Sequence, residues 1–136
     1  MILVDTNVAI DVLNPASDHH AWSMDAWDAL PFDALFFDHI IVAELAVGAR
    51  SPVELERMIA VLGIAVDPLD DQIAFCAGQA FKLWVKNGGR RGALLPDFII
   101  GAHAAVRGAR ILTRDPRRFR SYFPDVPLIT PKGDHD

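Results

Sequence analysis

Short apolar runs alternate with longer amphipathic segments along this chain. Mainly apolar runs at 2–4, 35–37, 64–66, 110–113 and 128–129 predict short buried strands. Helical signals lie between them, over 8–13, 21–30, 40–49, 52–62, 70–86, 96–107 and a short segment after Pro116. In the helix that begins at Pro52, the apolar residues follow the spacing of one buried helix face: Leu55, Met58, Ile59 and Leu62.

Strands that alternate with helices favour an α/β fold built on a mainly parallel central sheet. Because 51% of the residues are hydrophobic, the chain has enough apolar surface to bury a core. We expect one domain over residues 1–130 and a tail at 131–136. No apolar run approaches the roughly 18 residues of a membrane span, and Cys76 is the only cysteine. We therefore expect a cytoplasmic protein without a signal peptide or an internal disulfide.

Charge is distributed unevenly along the chain, whose formal net charge is −5. Residues 1–81 hold 2 basic and 13 acidic side chains, whereas residues 82–120 hold 10 basic and 2 acidic ones. A basic segment inside an acidic protein is typical of a surface that meets phosphate groups. An ordinary solvated face would have the same composition, so charge alone leaves both interpretations open.

Two of the predicted strands end in similar polar residues. Asp5 follows the first strand and precedes Thr6 and Asn7, and Asp115 lies just beyond the strand at 110–113. Because parallel strands share one direction, both carboxylates are expected at the same edge of the sheet, where α/β proteins bind ligands. Each carboxylate could instead cap the helix that follows it.

Asp97 and Glu44 are two further candidate acids. Asp97 opens the helix at 96–107, and it shares the basic segment 82–120 with only one other acid, Asp115. Glu44 is the single charged residue in the run IIVAELAVGA. Asp97 could simply complement a helix dipole, and Glu44 could be an ordinary exposed residue. Taken together, the four acids Asp5, Glu44, Asp97 and Asp115 favour one shared functional site over four unrelated structural roles.

With these acids the chain resembles the PIN domain, and within it the VapC-like ribonucleases of toxin–antitoxin pairs. The resemblance extends over essentially the whole chain. It rests on four segments in the family's order: VDTNVAIDVL around Asp5, VAEL around Glu44, LPDFIIGAHA around Asp97 and ILTRDPRRF around Asp115. Where family members often carry a serine and a threonine before the glutamate, this chain has Asp38 and Ile41.

The resemblance implies a three-layer sandwich with a groove walled by the four acids. It implies Mg²⁺ or Mn²⁺ at Asp5, Asp97 and Asp115, with Glu44 orienting a ligand or a water molecule, and endonucleolytic cleavage of RNA. The chemistry agrees, because hard divalent cations prefer oxygen ligands. A cation of this kind also activates water for in-line attack on phosphorus.

Three uncharged polar residues are expected to support these acids. Thr113 would offer its hydroxyl to a phosphate or to a water molecule on the metal. Thr6 and Asn7, at the predicted start of a helix, would hold Asp5 in place. These three roles complete the predicted site.

The candidate RNA contacts are the basic residues near the acids: Arg90, Arg91, Arg114 and Arg117. The first two lie in a Gly-rich loop before Asp97, and the other two flank Asp115. Arg117 or its neighbour Arg118 could also pair with an acidic residue or lie along the surface. None of the five histidines has metal-ligand spacing to another. His103 is expected to face away from Asp97, at about 240° around their helix, so we expect no catalytic histidine.

Other function classes fit the pattern less well. A non-catalytic RNA-binding or scaffold module on the same fold would lack the acids, yet all four are present. An aspartyl phosphatase or a receiver domain carries a second aspartate two positions after the first, where this chain has Asn7. For a toxin, the expected partners are RNA and an antitoxin that blocks the groove. The helix around residues 55–62 and the surface near Trp22 could bind the antitoxin or form a homodimer.

Overall fold

A five-stranded parallel sheet forms the centre of the fold in the computed structural model, which describes residues 1–90, 92 and 95–131. The strands are β1 (Ile2–Val4), β2 (Leu35–Phe37), β3 (Ala65–Val66), β4 (Arg110–Leu112) and β5 (Leu128–Ile129). Their order across the sheet is β3-β2-β1-β4-β5. Every predicted strand is therefore confirmed, and two of them are one residue shorter than expected.

Helices flank the sheet and complete the predicted three-layer α/β fold. They are α1 (Thr6–Leu13), α2 (His20–Ala29), α3 (His39–Ala46), α4 (Pro52–Leu62), α5 (Asp71–Lys86), α6 (Pro96–Arg107) and α7 (Arg117–Tyr122), with a 3₁₀ turn at Phe32–Ala34. Gly63 and Gly108 end α4 and α6 in the left-handed conformation, at φ 71° and 64°. Within the described ranges, none of the helices combines the length and the apolar character that crossing a bilayer requires.

The core forms on both sides of the three-residue strand β1, all of which is buried. Phe98 of α6 stacks on Tyr122 with ring centroids 4.2 Å apart and also packs against Trp84. Leu62 is buried as well, so the predicted partner surface at 55–62 belongs in part to the core. The large apolar residues of α4 that are exposed are instead Val53 and Val61. Apart from Pro131, the predicted tail lies outside the described residues.

The register of β1 and β4 brings two chain segments together at the carboxyl edge of the sheet. Val4 pairs with Leu112, and the backbone N–H of Asp5 donates to the carbonyl of Leu112 across 2.9 Å. Thr113, the residue after β4, therefore lies beside Asp5, the residue after β1. The loop from Thr113 to α7 then passes over this edge and carries Asp115.

Candidate active site

Asp5 is both a helix cap and a buried member of the acid group. It is the N-cap of α1, and its Oδ1 accepts a hydrogen bond from the backbone N–H of Thr6 at 2.8 Å. Its other oxygen, Oδ2, accepts from the Thr113 hydroxyl at 2.8 Å. Burial raises the pKa of Asp5 to about 6, although these two hydrogen bonds oppose the shift; the charges of Asp97 and Glu44 raise it further. Asp5 therefore caps α1, and it also lies beside other acids at the carboxyl edge of the sheet, where its role in binding a ligand stays a prediction.

Thr113 and Asn7 connect the end of β4 to the start of α1. The Thr113 hydroxyl donates to Asp5 and accepts from the backbone N–H of Asp115 at 3.0 Å. Asn7 donates to Asp5 and to Thr113, each at 3.4 Å, and accepts from the backbone N–H of Arg114 at 3.2 Å. Because the Thr113 proton is given to Asp5, this hydroxyl positions the carboxylate, whereas the sequence suggested a contact with phosphate or water.

Glu44 is half-buried and accepts a hydrogen bond from the Thr6 hydroxyl, with 2.6 Å between Thr6 Oγ1 and Glu44 Oε1. The interpretation of Glu44 as an ordinary exposed residue is therefore wrong. The hydroxyl partner comes from α1, whereas Asp38 and Ile41 stand where members of the resembled family often carry a serine and a threonine. Asp38 instead caps α3, accepting from the backbone N–H groups of Ile40 and Ile41 at 3.0 Å each.

Neither Asp97 nor Asp115 is a helix N-cap. Asp97 lies in the first turn of α6, whose N-cap is Leu95, and Pro116 is the N-cap of α7; neither end has a side-chain capping bond. The Asp97 side chain is 13% exposed, whereas that of Asp115 is 49% exposed. Burial raises the pKa of Asp97, Arg118 opposes this shift, and the charges of Glu44 and Asp115 add to it.

A cavity of about 300 Å³ gathers three of the four predicted acids. Asp5, Glu44 and Asp97 line it, together with Thr6, Asn7 and the guanidinium-bearing Arg118. Asp115 is joined to this group through Arg118, which contacts both Asp97 and Asp115. The structure therefore brings together residues that lie up to 113 positions apart in the sequence.

The donor set suits a hard divalent cation in kind, because it consists of carboxylate oxygens supported by hydroxyl and amide groups. Burial, reinforced by the charges of neighbouring acids, raises the pKa values of Asp5 and Asp97, so a positive charge bound there would stabilise the ionised carboxylates. In the part of the chain that the structure describes, no three acidic, histidine or cysteine side chains converge closely enough to hold an ion. The reason is that the carboxylates are turned towards Thr113, Thr6 and Arg118.

Arg118 is the site residue that sequence reasoning did not assign to the site. Its Nη1 lies 2.8 Å from Oδ2 of Asp97, and its Nη2 lies 3.0 Å from Oδ2 of Asp115. The spacing of three residues from Asp115 is compatible with a pair on one helical turn, in agreement with the acidic partner that the sequence allows for Arg118. The contact with Asp97 depends on how α6 and α7 pack, which no local spacing reveals.

The structure gives Arg114 a different partner from the predicted RNA. Its guanidinium forms an ion pair with Asp11 of α1, whose side chain is only 3% exposed. Ser17 and Ser23 donate to the same carboxylate at 2.9 Å each. Although burial opposes the shift, hydrogen bonds from Arg114 and the two serines lower the pKa of Asp11. This cluster fastens the loop after β4 to α1 and α2.

Of the other three predicted RNA contacts, two are exposed on the protein surface and one lies outside the described residues. Arg90 is exposed in the segment that follows α5, where it lines a second cavity with Trp84 and Tyr122. Arg117 is also exposed, on α7. Arg91 lies outside the described residues. For these residues the RNA contact stays a prediction.

His103 faces away from Asp97, as the helix geometry predicts. It is fully buried, with Nδ1 2.9 Å from Asp38 and Nε2 2.7 Å from Asp67. Arg107 donates to the same Asp67 oxygen at 2.8 Å. Although burial opposes the shift, the two carboxylates raise the pKa of His103. This network ties α6, which carries Asp97, to the ends of β2 and β3.

The fold agrees with the family comparison. The sequence profile of the PIN domain matches residues 2–123. This chain belongs to the PIN-domain family. No curated protein sequence matches this PIN domain. The family assignment thus rests on the domain profile and on the similarity of the fold to solved structures.

Structures similar to this PIN domain come from toxin–antitoxin pairs. VapBC-1 from nontypeable Haemophilus influenzae is 25% identical with a TM-score of 0.69, over 96% of this chain and 98% of that one. FitAcB from Neisseria gonorrhoeae is 24% identical with a TM-score of 0.71, over 95% of this chain and 96% of that one. The toxin VapC20 from Mycobacterium tuberculosis is 16% identical with a TM-score of 0.66, over 90% and 95%, and is described as cleaving the sarcin–ricin loop.

Proposed function

We propose that this PIN domain is a metal-dependent endoribonuclease and the toxin of a toxin–antitoxin pair. The observation that carries the proposal is the cavity in which Asp5, Glu44 and Asp97 lie together. Burial and mutual repulsion raise the pKa of Asp5 and of Asp97, which is typical of catalytic carboxylates. The similarity to a toxin described as cleaving the sarcin–ricin loop supports RNA as the substrate.

Asp5, Asp97 and Asp115 would hold Mg²⁺ or Mn²⁺. When bound, a divalent cation supplies Lewis-acid stabilisation of the phosphate and lowers the pKa of an attacking water molecule. Glu44, which accepts a hydrogen bond from the Thr6 hydroxyl, would orient a ligand or a water molecule at this site.

Residues that do not touch substrate keep the acids in position. Thr113 directs one oxygen of Asp5, and the backbone N–H of Thr6 directs the other. Asn7 fixes the loop that follows Thr113 by accepting from the backbone N–H of Arg114. Because these donors belong to strand ends and a helix start, the carboxylate is held on rigid elements, as accurate positioning requires.

An antitoxin is the expected protein partner. The similar structures of VapBC-1 and FitAcB are toxin–antitoxin assemblies, which supports a partner of the same kind for this chain. We place its contact over the acid cavity, because covering this cavity excludes RNA. A homodimer, also predicted from the sequence, would use other exposed apolar residues such as Val53 and Val61 of α4.

Cleavage of a structured RNA by the purified chain tests this proposal. With Mn²⁺ we expect cleavage by the wild-type protein and none by Asp97→Asn, which removes a charge but keeps the shape of the side chain. Asp28→Asn is the matched control, because Asp28 is an exposed aspartate of α2 that is not among the residues lining the cavity. If wild-type protein binds RNA without cutting it, the protein is the non-catalytic RNA-binding module of the alternative hypothesis.

A further inference from the structure

The guanidinium of Arg118 lies between two of the acids and contacts both. Nη1 is 2.8 Å from Oδ2 of Asp97 on α6, and Nη2 is 3.0 Å from Oδ2 of Asp115 in the loop before α7. The two terminal nitrogens of one planar group therefore serve two carboxylates from separate elements. Such a fork holds both oxygens at fixed positions, which a single ammonium group does less well.

Arg118 is the positive charge of the acid cavity. Of the described residues that line this cavity, Arg118 alone is basic. It opposes the rise in the pKa of Asp97 that burial and the neighbouring acids cause. Half of the Arg118 side chain is exposed, at 54%, so it can leave the two aspartates without unfolding α7. Arg118 thus has the charge and the freedom of a replaceable counter-ion.

The oxygens that Arg118 contacts belong to two of the carboxylates assigned to the metal. We infer that Arg118 competes with the divalent cation for Asp97 and Asp115, as an internal counter-ion that metal binding displaces. The inference rests on the proposed function. Its physical reason is that a guanidinium and a divalent cation repel each other, so both cannot occupy the space between the same oxygens.

Binding of Mn²⁺ to the full chain without RNA tests this competition. In Arg118→Gln the carboxylates lose their internal cation, so we expect Mn²⁺ to bind roughly fivefold or more tightly than to wild type, in the range of ordinary coupling between sites. Titration calorimetry gives both dissociation constants. An equal or weaker affinity in Arg118→Gln overturns the inference.

Arg110→Gln is the matched control for net charge. Arg110 is an exposed arginine at the first position of β4, at the amino edge of the sheet and thus opposite the acids. Arg110→Gln removes the same charge far from the cavity, so we expect this variant to bind Mn²⁺ with the wild-type affinity. If Arg110→Gln tightens binding as much as Arg118→Gln, the effect is one of overall charge and the competition is refuted.

A measurement on the wild-type protein covers the case in which Arg118→Gln does not fold. The side-chain Nε–H signal of Arg118 in a ¹H–¹⁵N spectrum reports its environment, and Mg²⁺ is diamagnetic. We expect this signal to move towards that of exposed arginines as Mg²⁺ saturates the protein. A signal that stays unchanged at saturating Mg²⁺ contradicts displacement.

The outcomes separate this inference from the proposed function. If wild-type protein binds Mn²⁺ and cleaves RNA while Arg118→Gln binds Mn²⁺ no more tightly, only the competition fails. If the wild-type protein binds no Mn²⁺, the metal-dependent function fails and the competition fails with it.

Discussion

The Thr113 hydroxyl donates a hydrogen bond to Oδ2 of Asp5, with 2.8 Å between the two oxygens. Both side chains are buried, and they follow adjacent parallel strands, β4 and β1. The bond therefore joins the two strand ends that deliver Asp5 and Asp115. It aims one oxygen of Asp5 and, through the backbone N–H of Asp115, shapes the loop that carries the second acid.

Replacing Thr113 by valine tests this relationship, because valine keeps the shape and removes the hydroxyl. The loss leaves a buried oxygen of Asp5 and the N–H of Asp115 without this partner. We expect a fall of about 1–3 kcal/mol in the free energy of unfolding and of about 10- to 100-fold in RNA cleavage. Urea unfolding and a cleavage assay measure the two. Thr113→Ser, which keeps the hydroxyl, should retain most activity; a valine variant with wild-type cleavage contradicts the positioning role.

Arg114→Ala distinguishes a structural ion pair from an RNA contact. Because the Asp11 side chain is 3% exposed, removal of Arg114 leaves a buried carboxylate without its ionic partner. We expect the free energy of unfolding to fall by about 3 kcal/mol. Adding Asp11→Asn should restore part of the loss, since the unpaired charge is then gone. A stable Arg114→Ala variant with weakened RNA binding would instead support the contact predicted from sequence.

Arg90→Ala tests the remaining prediction of an RNA contact in the described segment after α5. If Arg90 pairs with a phosphate of a single strand, the slope of log affinity against log salt should fall by about 0.7. Binding is measured in the Asp97→Asn background, so that the RNA stays intact. Arg110→Ala, at the opposite edge of the sheet, should leave the slope unchanged. An equal slope in both variants assigns Arg90 to the ordinary solvated surface.

The sheet was predictable because its strands are continuous apolar runs bounded by polar residues. Parallel strands then place Asp5 and Asp115 at one edge, and the predicted and observed strands differ by one residue at most. Helix boundaries were less accurate: α1 begins at Thr6 because Asp5 caps it, two residues before the predicted start. Capping bonds of this kind involve single side chains and leave little trace in an apolar pattern.

Contacts between side chains that are distant in the sequence could not be predicted from the sequence. Asp11 and Arg114 are 103 positions apart, and nothing in either neighbourhood distinguishes this pair from other opposite charges. The contact of Arg118 with Asp97 likewise depends on the packing of α6 against α7. The Arg118–Asp115 spacing of three residues was visible, but it fits a routine surface pair equally well. Tertiary geometry decides among such possibilities, whereas periodicity does not.

The buried His103 should make stability depend on pH. Asp38 faces one ring nitrogen and Asp67 the other, with Arg107 on the far side of Asp67, and the pKa of His103 is raised in the folded protein. A raised pKa means that the protonated ring stabilises the fold below about pH 6.5, the unfolded value. This contribution is lost as the pH rises through the folded pKa, with a slope of at most about 1.4 kcal/mol per pH unit.

Urea unfolding of wild type and His103→Gln in EDTA, at pH 6, 7, 8 and 9, measures this effect. We expect the stability advantage of the wild type to be largest at pH 6 and to shrink as the pH rises. The variant, which has no titrating ring, should not show this decline. A difference between the two proteins that stays constant from pH 6 to pH 9 contradicts a protonated His103.

Reversible metal dependence of RNA cleavage tests the central claim most directly. One preparation of wild-type protein is assayed with Mn²⁺, after addition of EDTA, and after Mn²⁺ is restored in excess, with Asp97→Asn treated in the same way. We predict that wild-type cleavage stops with EDTA and returns with Mn²⁺, while Asp97→Asn cleaves at no stage. Wild-type cleavage that continues in EDTA, or cleavage by Asp97→Asn at the wild-type rate, would contradict a metal-dependent nuclease site at these acids.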